Sequence, residues 1–128
     1  MEAVLIRLDP IQWGRMECMK KTAVICESVP KNLHLPFRAY VYVDGFGVVG
    51  KFDCDEWRKT IDTPSIAPGS GYTKSQLIAL AAEAPLCAWH VKEYSVVPYD
   101  TPNCLTWEPP CAIAPAVESW VYIGEDPT

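Results

Sequence analysis

The sequence lacks the features that would mark a membrane, secreted or metal-binding protein. No apolar run approaches the roughly 20 residues of a bilayer-spanning helix, and the start, Met1 to Val4, lacks the basic and apolar stretches of a signal peptide. The six cysteines form no CxxC pair, and the two histidines, His34 and His90, lie far apart. We therefore expect a soluble, cytoplasmic protein with reduced thiols and no metal or cofactor.

Basic residues are scarce in the second half of the chain. Residues 1–60 hold nine Lys and Arg against eight Asp and Glu, whereas residues 61–128 hold two against eight, and the net charge is −5. Non-specific nucleic-acid binders need a basic face that neutralises phosphates. The cations available for one are Arg15, Lys20, Lys21, Lys31 and Arg38. They form either a local phosphate-binding patch or a set of solvated surface charges.

Apolar residues, by contrast, are plentiful. A chain of 128 residues with 49% hydrophobic and 11% aromatic content can bury one core. Neither an internal repeat nor a linker divides it. We expect one domain over residues 1–128.

Capping and turn signals place the main elements. Asp9-Pro10, with Gln12 following, predicts a helix over 10–19, and the capping-box spacing from Thr73 to Gln76 predicts a second over 73–83. An Asp-Gly turn predicts an antiparallel hairpin of strands 36–44 and 47–55. Further strands are expected near 4–8, 22–26, 87–97 and 119–123, with loops over 58–71 and 98–115. This pattern indicates an α+β fold.

Three short motifs occur in the order found in one known family. They are Lys21-Thr22, Ala88-Trp89-His90-Val91 and Ser119-Trp120-Val121-Tyr122. In them the chain, from Val4 to Tyr122, resembles the ASCH domains of phages and bacteria, relatives of the PUA domains. The resemblance implies a curved, partly closed antiparallel β-barrel with two flanking helices and a central groove.

The sequence departs from the family pattern at the positions that would carry chemistry. After Lys-Thr the family commonly has Glu or Thr and then Arg on alternate residues, where this chain has Val24 and Cys26. The family's N4-acetylcytidine amidohydrolases are thought to use a Lys-Thr-Glu constellation, and no acid lies between Asp62 and Glu83 to complete it. We therefore predict no catalytic residues, interpret Cys26 as an inert thiol, and rank such an enzyme third.

The sequence favours two functions. The resemblance implies a binding module for RNA or a nucleotide, with Lys21, Thr22, Trp89, His90, Ser119 and Trp120 as its ligand-binding residues. In that module the lysine would meet phosphate and the rings would stack on bases; alternatively, Trp89 is a core residue. The second function is a phage-encoded protein that binds the basic surface of a host defence or nucleic-acid enzyme through its acidic half. At position 118 the chain has Glu where the family has Gln, and a carboxylate that faces a phosphate would weaken the binding of RNA or a nucleotide.

Overall fold

A computed structural model describes residues 1–18, 21–26, 29–43, 46–82, 85–96 and 119–125. Within them the chain forms one six-stranded sheet with helices, which confirms the α+β prediction. The elements in chain order are β1 (Glu2–Leu8), α1 (Pro10–Glu17), β2 (Ala23–Cys26), β3 (Phe37–Val43), β4 (Gly47–Thr60), α2 (Thr63–Ile66), α3 (Lys74–Ala81), β5 (Leu86–Val96) and β6 (Ser119–Glu125). The proline-rich segment expected as a loop over 98–115 lies outside the described residues.

Both predicted helices begin where their capping signals place them. The Asp9 carboxylate accepts a hydrogen bond from the Gln12 backbone N–H at 2.7 Å, with Pro10 in the first turn of α1. At α3, Thr73 and Gln76 form both bonds of the capping box, at 3.1 and 2.8 Å. The described parts of both helices are shorter than predicted.

The hairpin is confirmed, but its second strand is longer than expected. β3 and β4 pair antiparallel from Phe37–Cys54 to Val43–Gly47. β4 then continues to Thr60 and pairs with β5 as far as Leu86. Part of the predicted 58–71 loop is therefore strand, and the short helix α2 occupies another part.

The sheet is mixed rather than wholly antiparallel as predicted. Its order is β2-β5-β4-β3-β1-β6, and β1 pairs with β3 in parallel, from Ala3–Arg38 to Leu8–Val43. The other four pairings are antiparallel. A parallel pair requires a crossover rather than a hairpin; here the crossover contains α1 and β2, so that β1 and β3 run the same way.

The sheet is strongly curved. Three strands separate β5 from β6, so in a flat sheet their backbones would lie about 19 Å apart, four steps of about 4.8 Å. The rings of Trp89 on β5 and Trp120 on β6 nevertheless lie 5.6 Å apart between centroids. The sheet therefore curls into an open barrel whose edges, among the described strands, are β2 and β6.

The core fills the concave face. Alternate residues of β1, β3, β4 and β5 point inward, as the burial of Val4 and Ile6 on β1 and Val41 and Val43 on β3 shows. A second, smaller cluster lies on the convex face, where α2 and α3 cover β2 and β5. Its buried members are Ile25, Ile66, Leu77 and Leu86. Both clusters include residues of β2, so the edge strand that follows Lys21 is packed on both faces.

Candidate ligand-binding groove

Trp89 is a core residue. Its side chain is fully buried, packs edge-on against Phe37 at 5.0 Å and contacts Trp120. Val24, where the family pattern has a polar residue, pairs with Trp89 across β2 and β5 and is equally buried. Trp89 therefore supports Trp120 from beneath rather than offering its own face to a ligand.

His90 faces the opposite side of the sheet from Trp89. Neighbouring residues of a strand point to opposite faces, and His90 is exposed, with Nδ1 2.6 Å from Oδ1 of Asp55. This hydrogen bond lowers the pKa of Asp55. The Trp-His pair is thus divided between the concave and convex faces, and the two side chains do not line one groove.

Lys21 is buried beside the loop that precedes α3. Its ammonium donates a hydrogen bond to the backbone carbonyl of Ser70 and lies 5.2 Å from the centroid of the Tyr72 ring. These contacts hold the lysine against the loop. Lys21 is not among the described residues that line the groove defined below.

Two glycines allow the loop to approach Lys21 closely. Gly69 accepts hydrogen bonds from the backbone N–H groups of Thr22 and Ala23 at 2.8 and 3.0 Å, and Gly71 accepts from the side chains of Gln12 and Arg15. A Cβ at Gly69, whose φ is +74°, would lie 2.1 Å from the Thr22 hydroxyl; one at Gly71, φ +80°, would lie 2.2 Å from Gln12 Oε1. The exposed Thr22 thus packs against a loop.

The open side of the barrel contains a cavity of about 340 Å³, here called the seam groove. Its lining residues are Glu2, Val29, Pro30, Asn32, Leu33, Trp120 and Tyr122. The loop that follows β2 forms one wall and β6 forms the other, so the groove lies between the two edges of the curled sheet. Trp120 and Tyr122, two residues apart, share the concave face, and Tyr122 is 52% exposed.

A carboxylate stands at the end of the seam groove. Glu2 Oε1 accepts a hydrogen bond from the His34 backbone N–H at 2.9 Å and lies 3.0 Å from His34 Nδ1. These two hydrogen bonds lower the pKa of Glu2, so the group is ionised at neutral pH. Glu2 also borders a second cavity of about 340 Å³, which is lined by Met1, His34, Pro36 and Glu125 as well.

The predicted site residues therefore fall into three places. Trp89 and Trp120 come together, Lys21 and Thr22 lie against the loop before α3, and His90 lies on the convex face. For Ser119 the structure describes the strand position, opposite Arg7, and not the side chain. Ligand binding by these residues stays a prediction.

Sequence reasoning missed six of the seven residues that line the seam groove, all except Trp120. Three of the six, Glu2, Asn32 and Tyr122, carry polar side chains. Strand alternation from Trp120 could have identified Tyr122 as its neighbour on the same face. No local pattern indicates Glu2 or Asn32, because only the tertiary fold brings the start of β1 and the loop after β2 to β6.

Burial lowers the reactivity of two cysteines, Cys54 and Cys87. Cys26 and Cys87 pair across β2 and β5 inside the core. Burial raises the pKa of Cys54 to about 12 and that of Cys87 to about 11. The Trp89 indole N–H forms no well-aligned hydrogen bond within the described residues. Since the thiolate is the nucleophile, Cys54 and Cys87 are unreactive at neutral pH.

The fold is that of the ASCH domains. The structure matches that of the ASCH protein from Zymomonas mobilis with a TM-score of 0.64 and 16% identity, over 73% of this chain and 69% of that one. A serine-to-alanine mutant of that protein matches with a TM-score of 0.69 and 15% identity over 93% and 87%, and a tyrosine-to-phenylalanine mutant with 0.63 and 13% over 75% and 73%. No family model and no curated protein matches. At these identities the likeness concerns the fold alone.

Neither a membrane helix nor a metal site occurs in the described ranges. None of their helices combines the length and the apolar character that crossing a bilayer requires. Nor do those ranges group three His, Cys, Asp or Glu side chains where they could hold a metal ion.

Proposed function

We propose that this protein is a non-catalytic binding module of the ASCH type that holds a base of RNA or of a nucleotide in the seam groove. The observation that carries this proposal is the placement of Trp120 and Tyr122 on one face of a cavity of about 340 Å³. Small-molecule pockets usually measure about 300–1,000 Å³, so this groove suits a single base. Proteins that bind single strands stack bases on such aromatic side chains.

The surroundings of Lys21 support a role without catalysis. An amidohydrolase of the family type would need an activated nucleophile beside the lysine, but Val24 is an apolar core residue and the Lys21 ammonium donates to a backbone carbonyl. We therefore expect no release of acetate from N4-acetylcytidine. Release that Lys21→Ala abolishes would contradict the non-catalytic interpretation.

Phosphate is expected to contribute less than the base. Lys31, exposed in the loop that lines the groove, replaces Lys21 as the cation available to a backbone phosphate. The carboxylate of Glu2 opposes phosphate at the other end. Binding should therefore depend on salt through about one ionic contact.

Titration with nucleoside monophosphates and a mixed-sequence single-stranded RNA at low salt tests the proposal. Tyr122→Ala should weaken binding about 5- to 150-fold, because base stacking contributes about 1–3 kcal/mol. Phe46→Ala is the matched control, since Phe46 is 72% exposed and lies outside the groove. Lys31→Ala should flatten the salt dependence by about one contact, unlike Lys74→Ala. Absence of binding at low salt would exclude the base-binding function.

A second candidate function is supported by the acidic end of the groove. Glu2 and Glu125 border the second cavity, and the Glu125 side chain is 69% exposed, with Oε2 3.3 Å from the Met1 ammonium. Such a surface suits a phage-encoded protein that binds a basic face of a host defence or nucleic-acid enzyme. In that case Glu125→Lys should slow association more than it speeds dissociation, and Tyr122→Ala should leave nucleotide titrations unchanged because none would bind.

The same function fits a phage or bacterial origin and a cytoplasmic location of the protein. We place the chain with the PUA-like ASCH modules of phages and bacteria, acting in the cytoplasm. A reducing cytoplasm would keep thiols such as Cys26 and Cys87 reduced.

A further inference from the structure

We infer that the seam groove selects guanine among the four RNA bases, with Glu2 and Asn32 contacting its Watson–Crick edge. This inference rests on the proposed function and specifies its ligand. It draws on two features of the groove that base stacking alone does not use: a carboxylate held in a fixed orientation at one end, and an amide side chain in the opposite wall.

Glu2 and the aromatic side chains belong to one surface. Val4 pairs with Tyr122 and Ile6 with Trp120, so the concave face of β1 continues from these pairs toward Glu2. Glu2, Trp120 and Tyr122 all line the same cavity. A ring stacked on the aromatic side chains therefore presents an edge toward the carboxylate.

His34 orients the carboxylate and leaves acceptor capacity in it. Both contacts with His34 fall on Oε1, at 2.9 and 3.0 Å. An ionised carboxylate accepts hydrogen bonds and donates none, with about four acceptor sites on its two oxygens. The two His34 contacts use the acceptor sites of Oε1, and the acceptor sites of Oε2 are not used by His34.

Among the four RNA bases, only guanine carries two adjacent N–H donors on its Watson–Crick edge, and these two donors match the free acceptor sites of the Glu2 carboxylate. Its Watson–Crick edge carries N1–H and the N2 amino group side by side, followed by the O6 acceptor. Adenine, cytosine and uracil each offer one donor group there, next to a ring nitrogen or carbonyl oxygen that a carboxylate repels. Asn32 carries an amide with two N–H donors, which suits O6. The charge and the donor pattern of the groove thus favour guanine.

Calorimetric titration of the full chain with GMP, IMP, AMP, CMP and UMP tests this inference. Two hydrogen bonds to one base edge, here from N1–H and N2–H to Oε2, discriminate between bases by about 1–3 kcal/mol, so GMP should bind at least about tenfold more tightly than AMP, CMP or UMP. IMP, which lacks the N2 amino group, should bind with an intermediate affinity.

Glu2→Gln should bring GMP to within about threefold of AMP, because the amide offers one acceptor fewer and adds a donor. Glu56→Gln removes an exposed carboxylate of β4 outside the groove and should leave the preference intact. Asn32→Ala, in an exposed loop, gives a second variant that should lower the GMP preference even if Glu2→Gln impairs folding, which thermal melting would reveal.

The possible outcomes separate the two proposals. A GMP preference that Glu2→Gln or Asn32→Ala removes supports guanine selection. Equal binding of the four RNA monophosphates would overturn the selection and leave the base-binding module standing. Binding of none of them, or of a lysine-rich peptide instead, would overturn both.

Discussion

The segment around Lys21 and the seam groove differ in how they use their polar groups. Around Lys21, the successive carbonyls of Gly69, Ser70 and Gly71 accept hydrogen bonds from two backbone N–H groups and three side chains. In the groove, the exposed Tyr122 ring lies beside an ionised carboxylate whose second oxygen is outside the His34 contacts. The first arrangement ties elements together, whereas the second has capacity for a ligand.

This difference shows why a motif match does not locate a site. The resemblance pointed to Lys21 and Thr22, which lie in the tightly packed segment. The groove lies at the other matched motif, around Trp120, and is completed by residues outside any motif. The residues that match the family motifs and the residues that line the groove are therefore largely different.

The largest expected loss of stability distinguishes the buried aromatic residue beside the groove, Trp89, from the exposed one, Tyr122. Trp89→Ala should lower the free energy of unfolding by about 3–5 kcal/mol, because it leaves a cavity in the core. Tyr122→Ala, at a half-exposed ring, should cost much less, about 1 kcal/mol. Urea denaturation measures both. Equal losses would mean that the groove wall is as much a part of the core as Trp89.

A smaller effect would test the tie between the loop and Lys21. Gly69→Ala and Gly71→Ala should each lower the free energy of unfolding by about 1–2 kcal/mol through the left-handed backbone, and by more through contact with Thr22 and Gln12. Gly47→Ala is the control: its φ is +84° and nothing lies within 4 Å of its Cβ position. If all three variants lose the same stability, the loop is not closely packed.

The smallest effect concerns the convex face. Asp55→Asn should lower the free energy of unfolding at neutral pH by at most about 1 kcal/mol, as for an exposed ion pair. Because the His90 hydrogen bond lowers the Asp55 pKa in the folded state, its contribution is present above the unfolded pKa and disappears as pH falls through the folded one.

Thermal melting of wild type and Asp55→Asn from neutral pH to about pH 3 would measure this loss. The two melting temperatures should converge on acidification. Nucleotide affinity should not change in His90→Ala, since His90 faces away from the groove; a marked loss would return the histidine to the binding site.

The sequence alone determined the elements whose signals are local. Asp9 and Thr73 cap helices through bonds to residues three positions away, and the hairpin predicted from Asp44-Gly45 pairs two strands adjacent in the chain. Such signals can be read because the interacting groups are close in sequence.

Only the tertiary structure decided which faces meet. It made β1 parallel to β3, brought Trp89 to Trp120 across three intervening strands, and placed Glu2 and Asn32 beside Tyr122. These contacts depend on the curvature of the whole sheet and join residues from opposite ends of the chain. Strand order and curl are properties of all six strands together, so no single segment encodes the groove.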